Sequence, residues 1–322
     1  MSFLWEGAPR TTILGLQVYY YGLYCAVGAL MAAAAVLVLL RGAGHKKGTG
    51  LLTACLGIVL GTAGARLLFC LLNTIGNNGF PVSAWFNITT GGLSLFGMII
   101  GVFFAAWISA KITGEETAVL LDTVSCAIPL AVAAERVGER LIDGFDISRT
   151  VKGVFPAGTF LAVENEFYGT SSLATWLVSA LFSIVLFLAL TFSLLRKNRR
   201  NGDQWVTFLM LCGAGGVILE SLRYDYHLEY SFVYLQQVIA ALMLLWGLIL
   251  AGRRGKRKGL FIAAIISFVA AAAICGGVEF ALDRMSISHI VLYLVMTAAL
   301  ALPVTLGMIL LTGKHAKGTE NR

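Results

Sequence analysis

A polytopic all-α membrane protein of about nine crossing helices is the fold class this sequence predicts, and three observations predict it. Only 13% of the 322 residues are charged, whereas soluble domains carry about 25%. Mean hydropathy is +0.83, and apolar runs of roughly 18 residues or more recur, each enough to cross about 30 Å of hydrocarbon. The runs lack the period-two alternation of a transmembrane strand. Helices satisfy their backbone polar groups internally, which hydrocarbon demands.

In order, the spans fall at 13–40, 51–72, 91–110, 117–134, 172–195, 205–222, 231–251, 260–282 and 289–312, with ends placed to about three residues. The first is long, and its opening turns are expected in the interface or in a tilted helix. Glu6 and a single Arg10 precede it, with no basic leader and no small-residue cleavage site after it. It is therefore read as a retained helix, not a signal peptide. The second span holds Arg66, and the third opens on Gly91-Gly92-Leu93-Ser94. The fourth stops at Ala134, directly before Glu135-Arg136-Val137-Gly138-Glu139-Arg140. The sixth closes on Glu220 and Arg223, and the last two follow the basic stretch Arg253–Lys258. The Gly57/Gly61 and Gly97/Gly101 pairs are helix-packing signals.

Of the 24 lysines and arginines, sixteen fall in one set of loops and at the C-terminus, seven in the opposite set, and Arg66 within a span. The basic side faces the cytoplasm, so the expected topology is N-out and C-in. This distribution accounts for the net charge of +7, which is thus no sign of nucleic acid. All six cysteines lie in apolar runs without metal-type spacing and are expected to be small buried hydrophobes.

The outer segment 73–90 is uncharged and carries Phe80, Pro81, Trp85 and Phe86, as befits an interfacial loop. Its Asn87-Ile88-Thr89 fits a glycan acceptor only by a short pattern. Residues 135–171 form the largest outer piece, with turns expected at Gly153, Pro156, Gly158 and Gly169. Inner loops are short and leave no room for an ATPase domain; no P-loop or inverted repeat is present. The expected division is a seven-helix core over 1–251, with 135–171 as an outer head, and an appended helical pair over 252–322.

Depth sorts the polar residues. Tyr21, Arg66, Gly92 and Ser94, Arg136 and Glu139, and Glu220 and Arg223 all fall toward the outer leaflet. At the inner level only Asp122 compares. An arginine within a span costs about 2.5–3.5 kcal/mol on insertion scales and usually faces a cavity or a partner; the alternative is snorkelling to headgroups. Arg136–Glu139 and Glu220–Arg223, taken singly, read better as i,i+3 pairs on solvated helix ends. Tyr224, Tyr226, Tyr230 and Tyr234 read as an interfacial aromatic belt. Together the groups describe a cavity open to the outer leaflet. Planar guanidinium donors there suit the phosphate of a phospholipid headgroup. A transporter would instead place its polar site at the midplane, between broken helices.

The motifs in order resemble those of the prolipoprotein diacylglyceryl transferase family, over about residues 10–250. Tyr21-Gly22-Leu23 resembles the family's Tyr-Gly pair, and Gly64-Ala65-Arg66-Leu67 its Gly-Arg-Leu-Gly. Gly91-Gly92-Leu93-Ser94-Leu95-Phe96-Gly97 resembles Gly-Gly-Leu-Ser-Ile-His-Gly. Asp122 and Pro129 match an Asp and a Pro of the fourth helix. Arg136-Val137-Gly138-Glu139 resembles the signature Arg-x-Gly-Asn, with Asp143-Gly144 near the following Asn-Gly. Glu166-Phe167-Tyr168 resembles Gln-Leu-Tyr, Glu220 and Arg223 match Glu-x-x-Arg, and Gln237 falls where a Gln opens the next helix.

The resemblance implies transfer of diacylglyceryl from phosphatidylglycerol, or another anionic phospholipid, to the lipobox cysteine of a preprolipoprotein signal peptide. It implies a multi-pass protein of the bacterial plasma (inner) membrane with an extracytoplasmic active face. The catalytic residues would be Arg136, Glu139, Glu220 and Tyr21. The substrate-binding residues would be Arg66, Gly92, Ser94, Gly138 and Arg223. Neither metal nor cofactor is needed. There are departures: Phe96 stands for the His, Glu139 for the signature Asn, Glu166 for the Gln, Gly169 for the Glu that follows it, and Gly216 for an Arg four residues before Glu220. They leave a second reading open, a non-catalytic relative that binds lipid or a partner.

Overall fold

The structure, a computed structural model, describes residues 10–13, 16–77, 85–86, 92–141, 160–165, 170–196, 200–223, 229–230, 233–255, 257–285 and 287–312. Several expectations lie outside these residues: Asn87-Ile88-Thr89, Phe80 and Pro81, Asp143-Gly144, Gly153, Pro156, Gly158, Glu166-Phe167-Tyr168, Gly169, Tyr224 and Tyr226. Among the described residues nine helices are long and apolar enough to cross a membrane. The chain divides into two compact units, Met1–Asp146 with Ala174–Leu194, and Ile147–Leu173 with Leu195–Arg322.

The first unit begins with a hairpin, β1 (Arg10–Ile13) against β2 (Leu16–Tyr19). It runs straight into α1 (Tyr20–Gly42). The opening turns expected from residue 13 are thus strand, in keeping with the β-branched Thr11, Thr12, Ile13 and Val18. α2 spans Lys47–Asn77, longer than expected at both ends. α3 (Leu95–Thr113) starts later than expected because Ser94 caps it: the Ser94 hydroxyl accepts the Gly97 N–H at 3.5 Å. Gly114, at φ +75°, closes α3 in the left-handed conformation. α4 (Thr117–Glu139) runs five residues beyond the expected Ala134, and α5 covers Thr175–Leu195.

Close backbone approach holds α2 to α3. A Cβ on Gly64 or Gly97 would strike the other's carbonyl, and one on Gly101 would strike that of Leu60. The packing pairs read from sequence are therefore correct except at Gly57, which faces open space; Gly64 takes that role. α1 meets α4 in the same way, since a Cβ on Gly28 would lie 2.7 Å from the Ala131 carbonyl oxygen. In a membrane such small-residue contacts stand in for the absent hydrophobic drive. Thr53 and Ser109 add a buried hydroxyl pair at 2.6 Å between α2 and α3. α4 is the most buried helix of the unit and α1 the least.

The second unit carries β3 (Ala162–Asn165) paired with β4 (Thr170–Leu173), then α6 (Asp203–Leu222). The short β5 (Glu229–Tyr230) and β6 (Val233–Tyr234) lead into α7 (Leu235–Arg254), followed by α8 (Lys258–Arg284) and α9 (His289–Thr312). α6 is its centre. Gly213 lets α6 meet the Leu244 backbone of α7 at 2.6 Å from its Cβ position, and Gly307 of α9 lies against Met210 of α6. Arg254 Nη1 donates to Asp203 Oδ1 at 2.6 Å, joining the end of α7 to the start of α6. Cys70, Cys126, Cys212 and Cys275 are buried as expected, but Cys25 is only half-buried and Cys55 is exposed.

Candidate functional site

The extension of α4 to Glu139 decides where the charged groups of the first unit lie. It places Arg136 and Glu139 one turn apart on one helix face. Both are buried, at 7% and 6% exposure, which excludes the solvated helix end. Arg136 Nη1 donates to Glu139 Oε1 at 2.5 Å, and Arg136 Nε lies 3.3 Å from Glu135 Oε2. From α1, the Tyr21 hydroxyl donates to Glu135 Oε1 at 2.8 Å. Gly138 permits the approach, since a Cβ there would lie 2.7 Å from Tyr24 Cβ and 3.4 Å from Tyr21 Cδ2. One guanidinium thus sits between two carboxylates, with a phenol holding the farther one.

Desolvating such charges costs several kcal/mol each, and buried pairs of this kind are weak contributors to stability. Cohesion alone therefore does not account for the cluster. Tyr21→Phe should remove one of the ties on the Glu135 carboxylate, which Arg136 still contacts, and lower turnover about tenfold, the cost of one lost hydrogen bond to a charged group. A variant with parental kcat would show that Tyr21 does not order the cluster.

Arg66, 4% exposed, does not snorkel to headgroups. Its Nη1 donates to the Gly92 carbonyl at 3.2 Å and its Nε to the Trp85 carbonyl at 3.4 Å. The guanidinium carbon lies 5.8 Å from the centre of the Phe69 ring. Gly92 has φ +82°, and a Cβ there would strike that ring, so only glycine brings its carbonyl to Arg66. Ser94 is buried; besides capping α3, it donates its N–H to the Ala65 carbonyl at 3.0 Å. Phe96 is buried in the first turn of α3. Deeper in the unit an apolar pocket is lined by Ala32, Ala33, Gly61, Met98, Val102 and Ala131.

In the second unit Glu220 and Arg223 are both buried, which again excludes solvated ends; the Arg223 N–H closes α6 on the Glu220 carbonyl at 3.4 Å. Gly216 is buried one turn earlier. Tyr234 is buried too, so it is not a belt residue. Asp122 is buried, and its main-chain carbonyl accepts the Ser125 hydroxyl at 2.7 Å.

Sequence reasoning missed two contacts beside these residues. Glu135 adjoins Arg136, and neighbours in sequence do not share a helix face, so no spacing rule links them. The Arg140 guanidinium carbon lies 5.6 Å from the centre of the Trp176 ring on α5, a contact no local pattern gives. No group of three or more His, Cys, Asp or Glu side chains among the described residues is arranged to hold a metal.

A family model described as prolipoprotein diacylglyceryl transferase matches residues 10–253. A phosphatidylglycerol–prolipoprotein diacylglyceryl transferase of Clostridioides difficile is 27% identical over 239 residues, covering 74% of this chain and 91% of that protein. A protein of the same name from Fervidobacterium nodosum is 28% identical over 227 residues, covering 62% and 70%. One from Oleidesulfovibrio alaskensis is 27% identical over 268 residues, covering 78% and 94%.

Proposed function

Because the chain belongs to the prolipoprotein diacylglyceryl transferase family, we propose that it moves diacylglyceryl from phosphatidylglycerol to the lipobox cysteine of a preprolipoprotein. The observation that carries this reading is the buried Tyr21–Glu135–Arg136–Glu139 cluster. In the reaction the cysteine sulfur bonds to the glyceryl carbon. The bond from that carbon to the phosphate oxygen breaks, and glycerol phosphate leaves with the electron pair. The thiol proton must go to a base, because the thiolate is the nucleophile.

Arg136, held in place by two carboxylates, stabilises charge developing on the leaving phosphate. Preorganised donors at a forming anion are usually the largest catalytic contribution. Glu139 takes the thiol proton. Arg66 fixes the loop carbonyls of Trp85 and Gly92 around the lipid headgroup. Gly138 and Ser94 hold the helix contacts that the headgroup site needs. For Glu220 and Arg223 the assigned roles are a second proton acceptor and a second phosphate ligand. The membrane is the bacterial inner membrane, with the N-terminus and the reacting face outside. The family match ends one residue before the last residue of α7, which supports treating residues 252–322 as an appendage.

Phe96 and Gly216 favour the second reading, a relative that binds lipid without turnover, because residues acting as a unit lose most of the rate together. Expression in cells depleted of their own transferase separates the two. The transferase reading expects lipoprotein processing to return to about the level given by a native enzyme. A folded, inserted protein that gives none, yet still binds phosphatidylglycerol vesicles, would establish the non-catalytic relative.

A further inference from the structure

The last two helices lie beyond the family match, yet they reach the functional end of α6. Glu279, in the last two turns of α8, is 2% exposed. Its Oε1 accepts from Gln237 Nε2 at 2.7 Å. The same amide nitrogen donates to the Val217 carbonyl of α6 at 3.1 Å, and Gln237 Oε1 accepts the Tyr234 backbone N–H at 3.1 Å. Both amide protons and the amide oxygen of Gln237 are thereby directed. One side chain joins α6, the start of α7 and α8.

A second tie runs parallel to it. The Tyr293 hydroxyl on α9 donates to the Ser221 carbonyl at 3.1 Å and lies 3.1 Å from the Ser221 hydroxyl. Ser221 sits directly after Glu220 and two residues before Arg223. The last carbonyls of a helix and the first N–H groups of the next have no partner within their own helix. In hydrocarbon no water supplies one. Here Tyr293 serves such a carbonyl of α6, and Gln237, oriented by Glu279, serves the N–H that begins α7. Keeping a carboxylate buried at this place is costly, and cohesion between α8 and α7 would be met more cheaply by apolar packing.

We propose that α8 and α9 form a built-in clamp on the Glu220–Arg223 segment, with Glu279 and Tyr293 as positioning residues for the transfer reaction. The inference rests on the function proposed above. The clamp sets the direction in which Glu220 and Arg223 leave the end of α6. It acts through Gln237 and Ser221, and neither Glu279 nor Tyr293 touches the reacting atoms.

The test uses the full chain in phosphatidylglycerol vesicles with a lipobox peptide as acceptor. Glu279→Ala should lower kcat about tenfold, the cost of one buried hydrogen bond left unmade, with KM within about twofold. Glu279→Gln keeps an acceptor oxygen for Gln237 and should restore kcat to within about twofold of the parent. Tyr293→Phe should lower kcat about threefold. Parental kcat in Glu279→Ala, or Glu279→Gln as impaired as Glu279→Ala, overturns the positioning role. Hydrogen exchange on the same proteins gives a readout that needs no turnover. Glu279→Ala should speed exchange of the 217–223 amides about tenfold while leaving α2 unchanged. If the parent shows no transfer, the proposed function fails, and the exchange data alone decide the clamp: unchanged 217–223 amides refute it. Should Glu279→Ala not fold, Glu279→Gln and Tyr293→Phe carry the same comparison.

Discussion

Arg136→Ala is expected to abolish most lipoprotein processing, with a loss of about 100-fold or more in the rate of diacylglyceryl transfer. Two effects add. The leaving phosphate loses its preorganised donor. Glu135 and Glu139 lose the cation that both of them contact. Removing one partner from a buried ion pair typically costs about 3–5 kcal/mol, so the variant should also melt earlier in detergent. Arg136→Lys separates the two effects. The ammonium keeps the charge near both carboxylates but cannot reproduce the planar fork. It should recover most of the stability and little of the rate. Equal rates for Arg136→Lys and the parent, measured with phosphatidylglycerol vesicles and a lipobox peptide, would falsify the role given to this guanidinium.

Gly138→Leu is expected to be nearly as damaging, through packing alone. The Cβ position at Gly138 already lies 2.7 Å from Tyr24 Cβ, an atom fixed to the α1 backbone. A leucine there must push α4 away from α1. That motion separates Glu135 from the Tyr21 hydroxyl, since the two belong to the helices being parted. Gly138→Ala should show the graded version, about 1–3 kcal/mol of overpacking and a smaller loss of rate. Thermal melting and transfer rates across the pair Ala and Leu should fall together. A Leu variant with parental rate would mean that the α1–α4 contact does not set the cluster.

The place of each residue explains what could be read early. The nine spans were legible because hydrocarbon selects on length and apolarity alone, and both are properties of a linear string. Arg66, Arg136, Glu220 and Arg223 stood out because a charge within or beside an apolar run is conspicuous whatever surrounds it. Their company was not legible. Whether Arg136–Glu139 was a solvated pair or a buried one turned on where α4 ends, and helix ends are the least local part of a helix. The hairpin before α1 escaped notice because β2, Leu16–Tyr19, runs without a break into the apolar stretch of α1. Gly57 and Gly64 belong to the same spacing family, and only the facing helix chooses between them.

The sequence by itself determined that this chain lives in a membrane, how often it crosses, and which side chains are costly to hold there, because the penalty for a charge in hydrocarbon depends on residue type and depth. Only the tertiary structure decided what those side chains touch. Tyr21 reaches Glu135 across 114 positions, and Gln237 reaches Glu279 across 42. No spacing rule along the chain encodes such contacts, since they follow from which helix faces pack together and how closely glycine lets them approach.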